Sequence, residues 1–537
     1  MTWIMGLIKK PGGKKTMTDS QQYIMTLDEG TSSCRTLIID KKGEIKGRNQ
    51  IEIRQQYPQG QSSWVEHDPI EIWNSQLTTM IQALNKSKIN SNQIAAIGIT
   101  NQRETTVLWN RETGLPVYNA IVWQDRRTTD YCQTLIKKGW QEKIHKKTGL
   151  LIDAFFSATK IKWILDNIPE AKILAQQGKL AFGTIDSWLI YKMTAGINTN
   201  EAIHVIDITN ASRTMLFNIN TKVWDQELLE LFEIPESILP KVIPSSGLIG
   251  KTYPGMLFKN DVTSIPICAA IGDQQAGLFG QLCLNPGEIK ATYGTGCFIM
   301  MNIGKKPMLS KHGLLTTIAF QLENQPPVYA IEGSVFIAGA AIQFLRDSWR
   351  MLYRSDESLW YADIIDPKDQ QRIYFVPAFV GLGAPYWDST ARGAIFGLER
   401  ATKREHIVKA TLESLAYQTY DIIRVMQEDI KRMVKKNLKI KIKVDGGASN
   451  NRYVMQFQSD ISNTSLIKPK ISETTAMGVA YLAGLAINFW KDLNEIKHLY
   501  QIEKEYHPIM AEEQVRVLYK GWQEAIKRTR NWTSAIE

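Results

Sequence analysis

Cysteine is scarce: Cys34, Cys132, Cys268, Cys283 and Cys297 are the only five in 537 residues. No two form a CxxC pair, which excludes a disulfide framework and a structural zinc site and fits a reducing, cytoplasmic setting. Seven histidines are scattered without ligand spacing, so a dedicated histidine metal centre is not expected. Long apolar runs are also missing. The longest, SVFIAGAAIQFL at 334–345, carries Gln343 and is well short of the roughly 18–20 residues a bilayer span needs. Residues 1–21 lack a sustained apolar segment and a small-residue cleavage site, so they do not read as a secretory signal. They hold four Lys and one Asp and are expected to form a flexible basic leader.

The charge balance does not single out a nucleic-acid binder. Lys and Arg number 64 against 54 Asp and Glu, a formal +10 of which the leader supplies +3. The remainder suits solubility and attraction for an anionic substrate. The densest basic run, Lys431 to Lys443, interleaves with apolar residues in KIKIKV (439–444) and has no accompanying row of aromatics. It is expected to be a solvated helix end and strand face. Two phosphate-loop lookalikes fail as well. SSGLIGKT (245–252) has Ser245 where the first Gly belongs, and GGKKT (12–16) has Lys15 where Ser or Thr should follow the Lys. YGTGC lacks the third Gly of a dinucleotide fingerprint.

What is present is an ordinary globular composition, with 44% hydrophobic and 22% charged residues. At about 100–200 residues per domain, the length predicts two or more domains. YIMTLDEGTSSCRTLIID (23–40) reads as strand, polar turn, strand, and EIKATYGTGCFIMMN (288–302) repeats that grammar. A third Gly turn ends KIKIKVDGGASN (439–450), followed by a helix over 451–462. The recurrence in two halves predicts a duplicated architecture with one phosphate turn per half. Helical spacing marks 69–87, 339–349 and 404–426, while 94–100 and 372–379 read as strands. Alternating strands and helices predict α/β layering. The boundary is expected near residue 280, giving halves 22–279 and 280–537.

The turns carry hydroxyls at Thr31, Ser32, Ser33, Thr295 and Ser449. Successive amides in such bends bind anions, although any one alone is equally an ordinary tight turn. At 95–109 an apolar strand runs straight into Arg103-Glu104. Two readings stand: a surface ion pair, or a donor and acceptor for a polyol. At 265–280 another strand runs into Gly272-Asp273-Gln274. Asp273 there is either a helix N-cap or a general base for phosphoryl transfer.

Taken together, LDEGTSS, WVEHDP (64–69), ITNQRETT (99–106), AIVWQDRR (120–127), FFSATKIKWILDN (155–167), TNASRTMLFNI (209–219), GDQQAGLFGQLC (272–283), TYGTGCF (292–298), GLGAPYWD (381–388) and VDGGA (444–448) resemble the FGGY carbohydrate kinases. The match runs from about Tyr23 to the C-terminus. The resemblance implies an α/β fold of two ribonuclease-H-like, actin/hexokinase-type domains flanking a cleft, with glycerol and nucleotide sites shared between them. QRETT and VWQDRR are the segments that separate glycerol-phosphorylating members from those acting on pentuloses. It further implies Asp273 as general base, Arg103 and Glu104 on the glycerol hydroxyls with Gln274 beside them, Trp123 and Phe298 against its carbons, and Phe155 at the substrate position where the family carries a hydrogen-bonding Tyr. Thr31, Ser32, Ser33 and Arg35 fall on the phosphate hairpin, and Thr295, Gly339, Gln343, Gly447 and Asn451 on the nucleotide contacts. Asp28 resembles the carboxylate that holds Mg²⁺ through water, with ATP as co-substrate. Family analogy implies a homo-oligomer, dimer or tetramer.

Four residues depart from the family pattern: Glu29 for Gln, Ser32 for Thr, Cys34 for Ser and Phe155 for Tyr. Glu29 is expected to set a second carboxylate beside Asp28 and oppose incoming phosphates. Phe155 is expected to weaken glycerol binding by the loss of one hydrogen bond. Ser264 stands where members that respond to a sugar bisphosphate carry Arg, so that feedback is not expected.

Overall fold

The computed structural model describes residues 22–195, 199–366, 369, 371–433 and 440–533. The leader at 1–21, and residues 434–439 of the basic run, lie outside the described residues. Two mixed sheets organise the chain, sharing a central plan of antiparallel meander and parallel strands but differing at their edges. In the first, β1 (Tyr23–Glu29), β2 (Ser33–Ile39) and β3 (Ile45–Glu52) form an antiparallel meander. Next to β1 lies β4 (Ile94–Asn101), parallel to it. An antiparallel edge strand, β5 (Ser246–Lys251), pairs with β6 (Pro266–Gly272), which runs parallel to β4. The order is β5-β6-β4-β1-β2-β3. Buried on both faces, β1, β4 and β6 read as near-continuous apolar runs. The lookalike phosphate loop at 245–252 is the edge strand β5.

The second sheet repeats the plan. A meander is made by β7 (Glu288–Tyr293), β8 (Cys297–Gly304) and, beyond an added edge strand β9 (Leu315–Phe320), β10 (Val328–Val335). Parallel strands β11 (Lys441–Asp445) and β12 (Leu466–Pro469) follow, with β13 (Ile502–Tyr506) antiparallel at the edge. The order is β9-β10-β8-β7-β11-β12-β13. The expected duplication is therefore a property of strand order as well as of turn sequence. Within the described part of KIKIKV, Lys441 is exposed as expected, but Lys443 is buried and donates to the Gln281 and Leu282 carbonyls at 2.6 and 2.9 Å.

Helices follow their sequence signals closely. Helix α1 (Pro69–Ser87) starts where Asp68 caps the Ile70 amide ahead of a proline, and ends at Lys88 in the left-handed region. The segment predicted as a strand at 372–379 is shorter, Tyr374–Val376, because Pro377 cannot donate to a ladder. The helix expected at 404–426 runs on to Met433.

Two helices join the lobes. Helix α2 (Asp273–Gly280) leaves β6 of the first sheet and packs on β7, β8 and β9 of the second. Two further helices, α3 (Gly339–Asp347) and α4 (Arg452–Ser462), belong to the second lobe. From that lobe α5 (Thr474–Ala486) reaches back onto β1, β4 and β6. Where α2 and α5 cross, the backbones touch. A Cβ on Gly280 would lie 1.9 Å from the Thr474 carbonyl oxygen, and one on Gly478 would lie 1.9 Å from that of Ala276.

All five cysteines are free and buried. Cys34 belongs to the first lobe's core, Cys132 to the core of its 108–239 insertion, Cys297 to the second lobe's core, and Cys268 and Cys283 to the core shared between the sheets. Burial pushes the Cys268 thiol up to about 11 and those of Cys132, Cys283 and Cys297 to about 12.

Candidate functional site

Five candidate segments lie just beyond the C-terminal ends of parallel-paired strands, the place where open α/β sheets bind ligands. Thr31–Ser33 follows β1, Arg103-Glu104 follows β4, Asp273 follows β6, Thr295 follows β7 and Gly447 follows β11.

Arg103 and Glu104 are both buried, which removes the surface ion-pair reading. Neither has the other as its main partner. Arg103 donates through Nη1 to Glu332 Oε2 at 2.7 Å and through Nη2 to Oε1 at 2.8 Å, a forked pair, and Nη1 also reaches Gln275 Oε1 at 3.2 Å. Glu104 accepts from Arg213 Nε at 2.5 Å. Arg103 Nε lies 3.4 Å from Asp273 Oδ1 and 3.8 Å from Glu104 Oε1. Two guanidiniums thus face Glu104 and Glu332, while Asp273 is left with the Nε edge of Arg103 and the more distant charge of Lys290. Burial pushes Glu332 up, but Arg103 and Arg213 outweigh it and hold this carboxyl down at about 2.

Glu104 also has a positive φ of 61°, a strained setting for a side-chain-bearing residue. Three donors fix its carbonyl: Thr106 Oγ1 and Ser157 Oγ at 3.1 Å each, and Lys160 Nζ at 3.3 Å. Lys160 donates as well to the Phe155 carbonyl at 2.6 Å. One buried lysine therefore ties the Glu104 and Phe155 loops together, and burial lowers its own pKa to about 7.

Asp273 opens α2 as its first helical residue; the N-cap is Gly272, so the capping reading does not hold. Its carboxylate accepts from the Gln274 amide at 2.6 Å, and its side chain is 29% exposed. Burial raises its pKa, while Arg103 and then Lys290 oppose the rise. Gln274 accepts a hydrogen bond from Lys290.

An aromatic wall stands next to this cluster. Trp123 and Phe155 meet edge to face at 5.4 Å, and the Arg213 guanidinium lies 5.7 Å from the Phe155 ring. Trp123 Nε1 donates to Thr31 Oγ1 at 2.8 Å, so the wall is tied to the phosphate hairpin. Phe298 lies in the opposite lobe, on β8 between Thr292 and Ser334.

On the hairpin, Asp28 pairs in register with Arg35 and lies 3.8 Å from its guanidinium. Burial raises Asp28 to about 6, Arg35 opposes this, and Asp273 and Glu473 push further upward. Asp28, only partly balanced by an Arg35 that it shares with Glu473, suits a hydrated hard cation. Arg35 is also bound by Glu473, at the head of α5, which reaches Arg48 at 3.1 Å. Glu29 differs from expectation. Strand alternation turns it away from Asp28 into the interior, where it is fully buried and both oxygens accept from Gln102 Nε2 at 3.2 Å. Burial raises its pKa well above the ordinary value, with the Gln102 hydrogen bonds opposing the rise.

In the second lobe the 294–295 turn docks against α3. Gly339 donates to the Gly294 carbonyl at 3.0 Å, and Ala338 and Ala340 donate to that of Thr295 at 2.9 and 3.0 Å. A Cβ on Gly339 would sit 2.5 Å from the Gly294 oxygen. Gln343 is exposed on α3, and Gly447 is exposed with nothing within 4 Å of an added Cβ. Asn451 is partly occupied elsewhere: its side-chain oxygen caps α4 through the Tyr453 and Val454 amides, and its Nδ2 donates to Ser358 at 3.3 Å. Sequence reasoning missed Arg213, Gln275, Lys290, Glu332 and Glu473. A charge inside the apolar run VYAIEGSVFIAG is the signal for Glu332, since a buried carboxylate requires a cationic partner.

Comparisons with known proteins converge. The FGGY family of carbohydrate kinases matches through its N-terminal domain over residues 23–280 and its C-terminal domain over 289–487. The glycerol kinase of Mycoplasmoides gallisepticum is 54% identical over 519 residues, covering 97% of this chain and 99% of that one. That of Malacoplasma penetrans is 55% identical over 520 residues, covering 97% and 100%. Among solved structures, Plasmodium falciparum glycerol kinase with ADP superposes with a TM-score of 0.87 at 35% identity, covering 95% of this chain and 98% of that one. A xylulose kinase from Lactobacillus acidophilus, at 22% identity and a TM-score of 0.82 over 94% and 98% of the two chains, shares the fold.

Proposed function

Since this chain belongs to the FGGY family of carbohydrate kinases, we propose that it transfers the γ-phosphoryl group of MgATP to glycerol, giving sn-glycerol 3-phosphate and ADP. The observation that carries the reading is a part-exposed carboxylate, Asp273, set 3.4 Å from the Nε edge of a buried arginine. Glycerol kinases at 54–55% identity over nearly the whole chain support glycerol as the acceptor.

Glycerol lies with its carbons on Trp123 and Phe155, with Phe298 closing from the other lobe, and its hydroxyls between Arg103, Glu104 and Gln274. Asp273 accepts the proton of the terminal hydroxyl as that oxygen bonds to γ-phosphorus, and the bridging bond breaks with its electron pair leaving on ADP. Amides and hydroxyls of Thr31, Ser32, Ser33 and Thr295, with Arg35, receive the phosphates. The nucleotide lies along Gly339, Gln343, Gly447 and Asn451. Mg²⁺, when bound, neutralises phosphate oxygens, and Asp28 is the residue to hold it through water. Sharing the site between lobes lets closure exclude water, which would otherwise divert the phosphoryl group. A cytoplasmic setting is supported by the five free cysteines, and no helix among the described residues is long and apolar enough to cross a membrane.

The test is glycerol-dependent ADP release by the purified chain and its Asp273→Asn variant. Release by the wild type, reduced in the variant by roughly 10²–10⁴-fold, is the expected outcome. Equal release from both removes the general base. Release that follows a pentulose in place of glycerol removes the acceptor.

A further inference from the structure

The Arg103 fork leaves an open question about the base beside it. Its guanidinium has two edges suited to carboxylates, and Asp273 is within reach of it. Left unrestrained, Nη1 and Nη2 would fork onto Asp273 in the bidentate geometry that arginine and carboxylate favour. That would hold the base in a salt bridge and fill the space a hydroxyl needs.

We propose that Glu332, a second-lobe residue, is a positioning residue of the glycerol site: it occupies both terminal nitrogens of Arg103, so that only the Nε edge faces Asp273. This rests on the reaction proposed above. The geometry is over-determined. Glu332 is 1% exposed and receives two near-parallel bonds of 2.7 and 2.8 Å from Arg103. Arg213 adds a second guanidinium, with Nη1 3.4 Å from Oε2 and Nη2 3.5 Å from Oε1. Strand register fixes its backbone, opposite Met300 on β8 and Leu315 on β9. Because Arg103 follows β4 of the first sheet and Glu332 lies on β10 of the second, the arginine takes its working posture only when the lobes are seated on each other.

The groups facing Asp273 are Arg103 from the end of β4, Lys290 from β7, Glu332 from β10, and Asp28 and Glu29 from β1. Removing the Glu332 charge frees Arg103 toward Asp273, the nearest remaining carboxylate on its Nε side. An arginine closing on an aspartate lowers its pKa by about one unit or more.

The experiment compares Glu332→Gln and Glu332→Asp with the wild type in steady-state kinetics from pH 5 to 9. Circular dichroism of all three proteins accompanies it. In Glu332→Gln, kcat is expected to fall on the order of 100-fold, glycerol KM to rise more than ATP KM, and the acid limb of the kcat profile to move to lower pH. Glu332→Asp restores the charge and is expected to return the acid limb toward its wild-type position. An unmoved acid limb in Glu332→Gln overturns the proposal, as do equal rises in both KM values. So does loss of the folded spectrum in both variants, which would make the pair a purely structural tie between lobes. A wild type without glycerol-dependent ADP release removes the reaction itself, a failure visible before any variant is assayed.

Discussion

Replacing Gly478 by alanine tests whether a backbone crossing far from the substrate sets the position of Asp273. The new Cβ would stand 1.9 Å from the Ala276 oxygen, 2.7 Å from its carbonyl carbon and 2.9 Å from the Gly280 nitrogen, where real Cβ contacts do not fall below 3.0 Å. The two backbones must therefore part by about 1.1 Å, the difference between those limits. Helix α5 cannot retreat, because β4 already presses on its other side: a Cβ on Gly98 would meet the Val479 oxygen at 2.8 Å. The displacement falls on α2, whose first residue is Asp273. Overpacking of this kind costs about 1–3 kcal/mol, and with backbone on both sides the upper end is expected. A 1 Å shift of a catalytic group costs on the order of 100-fold in rate. Urea unfolding followed by circular dichroism reads the first effect as a lower midpoint at constant slope, and coupled ADP release reads the second. Gly447→Ala is the stability control, since nothing lies within 4 Å of its Cβ, and it should stay within about 0.5 kcal/mol of wild type. A Gly478→Ala enzyme with the wild-type urea midpoint and kcat would refute the argument.

Other outcomes follow from the site. Phe155→Tyr supplies one hydrogen bond of about 0.5–1.5 kcal/mol, so glycerol KM should fall roughly three- to tenfold; an unchanged or higher KM rejects the role given to this position. Glu29→Gln should leave ATP KM within about twofold, because Glu29 is fully buried and bound to Gln102; a marked fall in KM would restore the repulsion read from sequence alone. Asp28, raised to about 6 by burial, is ionised above that pH and protonated below it. Apparent Mg²⁺ affinity in the assay should therefore weaken as pH falls through 6, and Asp28→Asn should abolish that dependence. A pH response that persists in the variant assigns the metal elsewhere.

The sequence made much of this legible. Strand-turn-strand grammar located both hairpins, and uninterrupted apolar runs marked strands buried on both faces. Pairing was not legible. Arg103 and Glu104 adjoin in sequence, yet each takes its closest charged partner from a distant segment, because a buried charge pairs with whatever the fold brings within reach. Glu29 misled for a related reason: adjacency to Asp28 suggested shared chemistry, but strand alternation sends neighbours to opposite faces. Asn451 is both a predicted contact and a helix cap, and only coordinates reveal how much of its hydrogen-bonding capacity is already used.

The distribution of cysteines turns the molecule into its own recorder. Four of the five packing compartments hold a thiol or two, none of them accessible and all poorly ionised; the one around Trp522 holds none. Alkylation therefore waits on opening of the compartment concerned. A timed pulse of iodoacetamide, digested and read peptide by peptide, would date the breathing of each lobe separately, with Cys268 and Cys283 reporting the seam between them and no label needing to be engineered.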